Sequence, residues 1–399
     1  MSDPAGKLQI RIGPTGTTIG SSRPVRAASV FVGREPGETA RLLPALFSIC
    51  ATAQSVACAG ALEHAQRIEP APSVLALRRR LVEAETLREH LWRILLDWPR
   101  LLDLGPDAAS MARAMDGCAR LRAALARGKD QVEQGGGSEM PVSDAAREAM
   151  GVLADLVAER VLGTAPGDWL DSLQGLDALA SWCTGTSTGA ARLVTRVLDD
   201  DHADLGRSKI KPLPENDAGR ISAELGPRLG SGAADEFVAR PTWDGEPRET
   251  SPLTRGLDAP LIRDLAGRFG NGILTRLAAQ LLEVTRIASG SEPAEGIRSA
   301  APGSKATGDG MRWIAKPGVG LAQVPAARGL LIHRVEVREG RVADYRILAP
   351  TEWNFHPRGV VTAGLDAIAA RVRGPELRPL ARLFVAAVDP CVDFDLVER

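Results

Sequence analysis

The sequence Asp389-Pro390-Cys391 follows a long apolar run near one end of this 399-residue chain, and Cys50 lies in another apolar stretch near the other end. Apolar segments pack in the interior of a globular protein, so each thiol is expected on a packed segment. Two such thiols, far apart in sequence, are candidates to meet in one buried site. The function then depends on which partner groups accompany the two sulfur atoms.

The composition is that of an ordinary globular protein, with 44% apolar and 25% charged residues. A net charge of −1 provides no basic field for nucleic acid or an anionic membrane, and 4% aromatic residues leave few stacking platforms for single strands. No apolar run is long enough to span a bilayer, and the first residues lack a signal-peptide pattern. We therefore expect a cytoplasmic protein with five reduced cysteines and no nucleic-acid or membrane partner.

The periodicity of apolar residues predicts a mainly α protein with a small β-sheet, an α+β architecture. Alternation over residues 8–12 predicts a strand, and alternation over 330–348 around Glu339-Gly340 predicts a hairpin. These segments are expected to form one small sheet. The predicted helices cover residues 39–66, 72–102, 107–127, 143–162, 167–183, 186–200, 255–289 and 365–388.

We interpret residues 1–399 as a single domain with flexible loops near 128–142 and 289–310, where Gly and Ser are frequent. The predicted helix over 72–102 carries many charges, which are expected to form a solvated face. These charged residues are Arg78, Arg79, Arg80, Glu83 and Glu85.

Five segments carry recognisable motifs, and they occur in a fixed order along most of the chain. They are Val32-Gly33-Arg34-Glu35-Pro36 leading to Ile49-Cys50, Pro241 to Arg255, Gly318 to His333, Pro350-Thr351-Glu352-Trp353-Asn354 followed by Pro357-Arg358, and Asp389-Pro390-Cys391. In this order they resemble segments of the nickel–iron hydrogenase large subunit: the stretch before its first CxxC, YDGxPxExGPLAR, GxGxxEAPRGxxxH, PTTWNxxPR and DPCxxCxxH. The resemblance implies a large-subunit-like helical core, with Pro241–Arg255 shaping a pocket wall.

The departures from the family pattern concern the metal ligands. Ala53 and Phe394 stand where the second cysteine of each CxxC pair is found, and Val397 stands where the terminal histidine is found. The family uses four thiolates to hold and bridge nickel and iron, and two cannot do both. The resemblance therefore does not imply turnover of dihydrogen.

This combination resembles the HupK/HoxV hydrogenase assembly proteins, which keep the pocket and lose half of the ligands. The resemblance implies a non-catalytic maturation factor, a scaffold that holds iron as Fe(CN)2(CO) before passing it on. Its partners would be the maturation chaperone that delivers the iron and the apo large subunit. Two alternatives stay open: a degenerate metal-binding redox enzyme related to hydrogenase, and a structural decoy that binds a small-subunit-like partner.

The resemblance assigns roles to six residues at the proposed site. Cys50 and Cys391 would be the metal ligands. Arg328 matches the arginine beside the cyanide ligands, and Thr351 matches the hydroxyl near the other cyanide. Asp389 would pair with Arg328 and hold its plane. Pro350, together with Val324, Pro325 and Ala349, would form the apolar wall that carbon monoxide favours.

The sequence alone leaves some interpretations of the cysteines open. By position, Cys50 and Cys391 are nickel-type ligands, so either the iron fragment shifts toward them or they serve a mixed assembly. Cys50 on an apolar segment also has the properties of a small buried hydrophobe. The other cysteines show no metal spacing and are expected to fill the core, and His333 is expected to be a structural histidine.

Overall fold

A computed structural model describes residues 6–47, 49–125, 143–290 and 317–398. The helices in these ranges are α1 (Pro36–Leu46), α2 (Ala51–Gln66), α3 (Pro72–Trp92), α4 (Trp98–Leu101), α5 (Ala108–Leu125), α6 (Asp144–Val157), α7 (Pro166–Ser172), α8 (Leu176–Gly185), α9 (Gly189–Asp199), α10 (Ala218–Leu229), α11 (Ala234–Ala239), α12 (Pro252–Gly256), α13 (Pro260–Phe269), α14 (Ile273–Ser289), α15 (Pro350–Asn354), α16 (Val360–Arg371) and α17 (Leu377–Val388). No helix within the described ranges has the length and apolarity that crossing a membrane requires.

The strands form three small sheets around this helical core. They are β1 (Leu8–Gly13), β2 (Gly16–Ser21), β3 (Lys211–Pro212), β4 (Arg248–Glu249), β5 (Val319–Ala326), β6 (Gly329–Arg338), β7 (Arg341–Leu348) and β8 (Phe394–Glu398). The strand orders are β2-β1-β8, β3-β4 and β5-β6-β7. The mainly α architecture with small sheets confirms the predicted fold class.

The first sheet joins the two ends of the chain. β1 pairs with β2 as an antiparallel hairpin and with β8 in parallel, with Leu8 opposite Phe394. The backbone N–H of Leu8 also donates to the carbonyl of Asp393 at 3.0 Å. Parallel strands need a long connection, and here nearly the whole protein lies between them. Cys391 is therefore fixed close to the N-terminal hairpin.

Helix α2 packs directly against the β5-β6-β7 sheet because small residues face each other at the contact. An added Cβ on Gly320 of β5 would lie only 1.9 Å from the carbonyl oxygen of Ala61 in α2. On the helix side, an added Cβ on Gly60 would lie 3.2 Å from the Ala322 side chain. This close approach sets the distance between α2 and the sheet, and therefore the position of Cys50 at the N-terminus of α2.

A buried hydrogen-bond chain also ties the sheet to α2. His333 of β6 bonds through Nδ1 to the Tyr345 hydroxyl and through Nε2 to Oε1 of Gln54, each at 2.9 Å. Burial lowers the pKa of His333 to about 3, so the imidazole stays neutral at physiological pH. Its expected structural role agrees with these contacts.

Several helix predictions were wrong in their extent. The predicted 39–66 helix is interrupted between α1 and α2, since Pro44 weakens α1 and the Glu85 carboxylate accepts the first free N–H groups of α2. The predicted 255–289 helix is divided at Pro260 and Gly270, and the 365–388 helix at Gly374. The 167–183 helix is likewise divided into α7 and α8. The 72–102 prediction holds, as α3 passes through a π-helical turn into α4.

The expected single sheet was also wrong, because the N-terminal strand and the hairpin belong to different sheets. β8 and β5, which complete those sheets, carry little sequence signal of their own. Of the predicted loops, 128–142 lies outside the described residues, as does 289–310 beyond its first two residues.

The expected solvated face of α3 was wrong as well. Arg78, Glu83 and Glu85 are buried. Arg78 donates two hydrogen bonds to Glu63 of α2, at 2.7 and 2.8 Å. Because a bidentate pair satisfies both charges, α3 can bury this side against α2.

Replacing Gly320 with alanine should destabilise the fold, because the new methyl group would collide with backbone of α2. We expect a loss of about 1–3 kcal/mol in the free energy of unfolding by urea, typical of overpacking. Gly267→Ala is the matched control, since open space surrounds Gly267 inside α13. That variant should be neutral or more stable by about 0.5–1 kcal/mol. Equal stability of Gly320→Ala and wild type would contradict the close contact.

The neutral His333 should make stability fall in mild acid. Its pKa is lowered in the folded state, so unfolding below about pH 6.5 lets the imidazole take up a proton. The stabilisation is complete above that pH and decreases as the pH falls toward about 3, by about 2–3 kcal/mol at pH 4.5. Urea unfolding at several pH values should show a smaller acid loss in His333→Gln than in wild type. An identical pH dependence would contradict the buried neutral imidazole.

Candidate metal-binding site

A cavity of about 300 Å³ lies between the start of α2, the β5–β6 turn, the start of α15 and the C-terminal segment. Five of the six residues proposed for the site line it: Cys50, Arg328, Pro350, Thr351 and Cys391. The sixth, Asp389, is buried directly behind Arg328. The structure thus brings together two thiols that are separated by most of the sequence.

Cys50 occupies the N-cap position of α2, in the break that the sequence did not predict. The side-chain amide of Gln54 donates to its Sγ at 3.6 Å, and Gln54 is the residue that His333 holds. Burial, together with the charges of Cys391 and Glu85, raises the pKa of the Cys50 thiol to about 12. The thiol is therefore protonated at neutral pH, and binding a metal would release a proton.

Glu85 accepts the backbone N–H groups of Thr52 at 2.7 Å and Ala53 at 2.9 Å. This carboxylate from α3 does for α2 what a capping side chain usually does, since the Cys50 side chain does not cap the helix. Burial raises the pKa of Glu85, although the two N–H donors oppose this effect. Its position fixes the first turn of α2 and with it the Cys50 backbone.

Cys391 makes two hydrogen bonds of its own. Its Sγ lies 2.9 Å from the Thr351 hydroxyl and accepts from Nη1 of Arg23 at 3.1 Å. Nε of Arg23 donates to the Glu352 carboxylate at 2.7 Å. The hydroxyl that the resemblance assigned to a cyanide ligand therefore contacts sulfur in this structure. A positive charge also stands beside the sulfur.

Arg328 lies on the cavity wall between two acids. Its Nη1 donates to Glu89 at 3.0 Å, and its Nε lies 3.4 Å from Asp389 Oδ1. Among the described residues, the buried Nε has no hydrogen-bond partner, because the geometry toward Asp389 is poor. The charges of Asp389 and Glu89 outweigh the effect of burial and keep the pKa of Arg328 above its ordinary value.

Asp389 has a closer partner than the predicted Arg328. Arg93, from the π-helical turn after α3, donates to Asp389 at 2.6 Å and to the Pro390 carbonyl at 2.9 Å. Burial raises the pKa of Asp389, but the charges of Arg328 and Arg93 prevail and hold it below the usual range. Asp389 also has a left-handed backbone, with φ of 62°, at the end of α17. The chain therefore turns there and points Cys391 toward the cavity.

The four residues expected to form an apolar wall divide between two cavities. Ala349 and Pro350 line the cavity, but Val324 and Pro325 line a different cavity next to α3. The difference arises because β5 leads away from the turn at Ala327 toward α3. The apolar surface of the site comes instead from residues such as Ala326, Ala327 and Leu331.

The motif over residues 241–255 supports the wall from behind and does not line the cavity. Arg255 donates to the Ala327 carbonyl at 3.3 Å, beside Arg328. Asn354 of α15 clamps Thr250, accepting from its N–H at 3.0 Å and donating to its carbonyl at 2.7 Å. Three of the sequence motifs thus hold one another in place around the β5–β6 turn.

Sequence reasoning missed the polar residues around the two thiols. These are Arg23, Gln54, Glu85, Glu89 and Arg93, and none belongs to a motif quoted from the sequence. One signal was present for Arg23. Glu352 interrupts the family motif PTTWN, and an acid that replaces a threonine beside a buried site requires a cation nearby.

Cys50 and Cys391 are the two sulfur donors that line the cavity. Among the residues that the structure describes, no group of three or more His, Cys, Asp or Glu side chains is arranged to hold a metal ion. A structural zinc site uses four protein ligands, and Cys50 and Cys391 supply two.

A second and larger cavity, about 690 Å³, meets the first at the same thiol. Both cavities are lined by Cys391, Arg328 and Glu89, and the second extends past Trp92 and Arg382. Trp92 is 46% exposed, which is unusual for a large aromatic side chain. The two cavities therefore share the residues around Cys391.

Several known proteins are similar to this chain in sequence. A family model for nickel-dependent hydrogenases matches residues 275–392. The hydrogenase expression/formation protein HoxV of Cupriavidus necator is 34% identical, over 98% of this chain and 94% of the relative. HupK of Bradyrhizobium diazoefficiens, a protein with the same description, is 31% identical over 98% of this chain and 96% of its own length.

Solved structures agree on the fold. The nickel–iron–selenium hydrogenase of D. vulgaris Hildenborough in the oxidised state superposes with a TM-score of 0.61, over 94% of this chain and 92% of that one. Its reduced form gives 0.58, and the sequence identities are 15% and 16% respectively. These values establish a large-subunit-like fold. With the nearly full-length sequence similarity, they show that the chain belongs to the HupK/HoxV family of hydrogenase expression/formation proteins, relatives of the nickel–iron hydrogenase large subunit.

Proposed function

We propose that this protein is a non-catalytic scaffold that holds Fe(CN)2(CO) as cargo and passes it to the apo large subunit of a hydrogenase. The observation that carries the proposal is that Cys50, Cys391 and Arg328 line one cavity that provides two thiols and not four. The relatives described as expression/formation proteins support a role in hydrogenase maturation.

Two thiols suit this cargo in number and in kind. Low-spin ferrous iron with cyanide and carbon monoxide accepts soft thiolate ligands, and its three diatomic ligands already fill half of an octahedral sphere. Cys50 and Cys391 complete part of the remainder. The cargo is held here without a bridge to a second metal, whereas the four thiolates of the large subunit hold and bridge both metals, which favours transfer toward it.

The polar wall suits the cyanide ligands. Bound cyanide carries negative charge and accepts hydrogen bonds, and charge-assisted bonds from arginine are among the strongest available. Arg328 lines the cavity, and among the described residues its guanidinium donates one hydrogen bond, from Nη1 to Glu89, so its donor capacity is not exhausted. The apolar surface of Ala349 and Pro350 provides a matching wall for carbon monoxide.

The two cavities at Cys391 suit a carrier. Cargo must enter from the maturation chaperone and leave for the large subunit, and both partners need access to the same sulfur atom. The cavities that meet at Cys391 provide such access. These partners belong to the proposal and are inferred from the role of a maturation scaffold.

Removal of either cavity thiol should abolish the bound cargo. We expect infrared bands of metal-bound cyanide and carbon monoxide in wild-type protein purified without air from cells that express the maturation machinery. Cys50→Ala and Cys391→Ala should reduce these bands at least about ten-fold, since each variant removes a metal–sulfur bond. Cys183→Ala is the matched control, because Cys183 is buried in the helical core away from the cavity. It should retain the bands.

Wild-type protein without these bands, or bands that survive in both cavity variants, would contradict the scaffold. Dihydrogen turnover dependent on Cys50 and Cys391 would favour the degenerate enzyme instead. Stable binding of a small-subunit-like partner by protein without bands would favour the decoy.

Neutralising Arg328 should weaken cargo retention and change the cyanide bands. Loss of a hydrogen bond between an arginine and an anion costs about 1.5–3 kcal/mol, or roughly ten- to hundred-fold in affinity. Arg328→Gln should therefore lose cargo faster than wild type and shift the cyanide bands more than the carbon monoxide band. Arg248→Gln, at an arginine outside the cavity, should leave both unchanged. Unaltered cyanide bands in Arg328→Gln would contradict the contact.

A further inference from the structure

The sulfur of Cys391 is already engaged on one side by protein donors. Arg23 Nη1 lies 3.1 Å from Sγ and the Thr351 hydroxyl lies 2.9 Å from it. In the hydrogenase pattern, the first cysteine of each pair is the nickel-type ligand. In the present chain the guanidinium of Arg23 lies beside this first cysteine, Cys391. The second cysteine of the pair is replaced by Phe394.

The fold holds Arg23 firmly in this position. Arg23 follows the β1–β2 hairpin, and its backbone N–H donates to the Ser21 hydroxyl at 3.2 Å. Gly6 packs against it so closely that an added Cβ would lie 2.7 Å from the Arg23 Cα. Because β1 also pairs with β8, the hairpin and the segment that carries Cys391 are fixed relative to each other. The guanidinium is therefore built into the site.

Glu352 fixes the other side of the guanidinium. It accepts from Nε of Arg23 at 2.7 Å, and its side chain is only 9% exposed. Glu352 stands where the family motif has threonine, so the acid and the arginine form a pair that the motif does not contain. The pair leaves Nη1 directed at the Cys391 sulfur.

We propose that Arg23 is a specificity-determining residue that excludes bare divalent metals, nickel above all, from Cys391. A guanidinium beside the sulfur repels a dication that approaches the same atom. Iron in Fe(CN)2(CO) carries two cyanides that cancel its formal charge, so the same guanidinium does not oppose it. The inference rests on the proposed cargo and adds the reason why a site related to a nickel centre accepts only the iron fragment.

The test is a titration of the purified full-length protein with Ni²⁺ alone, followed by sulfur-to-nickel charge-transfer absorption. Wild type should show no tight nickel binding through Cys391. Arg23→Ala should bind nickel at least about ten-fold more tightly, because the repulsive charge is gone. Adding Cys391→Ala should remove that gain. Arg23→Lys keeps the charge and should stay within about three-fold of wild type.

A second variant distinguishes the effect of the Arg23 charge on nickel binding from a folding defect and from the effect of an unpaired Glu352. Arg23→Ala leaves Glu352 buried and unpaired, which can both destabilise the fold and attract nickel. The double variant Arg23→Gln/Glu352→Gln removes both charges and retains polar side chains. It should also gain nickel affinity, at least about five-fold, with an unchanged melting temperature within a few degrees.

Equal nickel affinity in wild type and the double variant would overturn the proposal, as would tight nickel binding by wild type through Cys391. The outcome is independent of the cargo test. Infrared bands absent from wild type would reject the iron scaffold, whereas the nickel titration would still report whether Arg23 protects Cys391.

Discussion

The parallel pairing of β1 with β8 is the constraint on which the site depends. It links the two ends of the chain through a register that sets Leu8 opposite Phe394, three residues after Cys391. The same pairing brings the N-terminal hairpin, and with it Arg23, to the C-terminal thiol. The close contact of α2 with β5 at Gly320 then places Cys50 on the same cavity. Two independent packing contacts thus define where the sulfur atoms lie.

Charge around the cavity is balanced by neighbours on different elements. Arg328 faces Glu89 and Asp389, Asp389 is held by Arg93, and Arg23 is held by Glu352. Buried charges are tolerated only with such partners, since an unpaired one costs several kcal/mol. These four ion pairs therefore maintain a polar wall in an otherwise apolar pocket. This wall distinguishes the site from a simple core cavity.

The fold class and part of the cavity lining could be predicted from motifs whose spacing survives in the sequence. Arg328, Thr351 and Cys391 belong to such motifs, and the structure places all three on one wall. Helix ends were harder to predict, because the break before Cys50 depends on Glu85 reaching across from another helix. Strand partners could not be predicted either, since the β1–β8 pairing joins residues almost 390 positions apart and leaves no local pattern.

The charged residues of α3 illustrate the same limit. Their periodicity resembles that of a solvated face, and the position of Glu63 on α2 makes burial of Arg78 favourable. Similarly, Arg23 lies in a segment without a motif and acquires its role through tertiary contacts with Cys391 and Glu352.

The central claim is that the Cys50 and Cys391 sulfur atoms jointly hold iron. X-ray absorption at the iron edge of the loaded protein tests it most directly. The account predicts sulfur scatterers in the first shell that decrease in each single cysteine variant, together with short iron–carbon distances. A first shell of nitrogen and oxygen alone, unchanged in both variants, would contradict it.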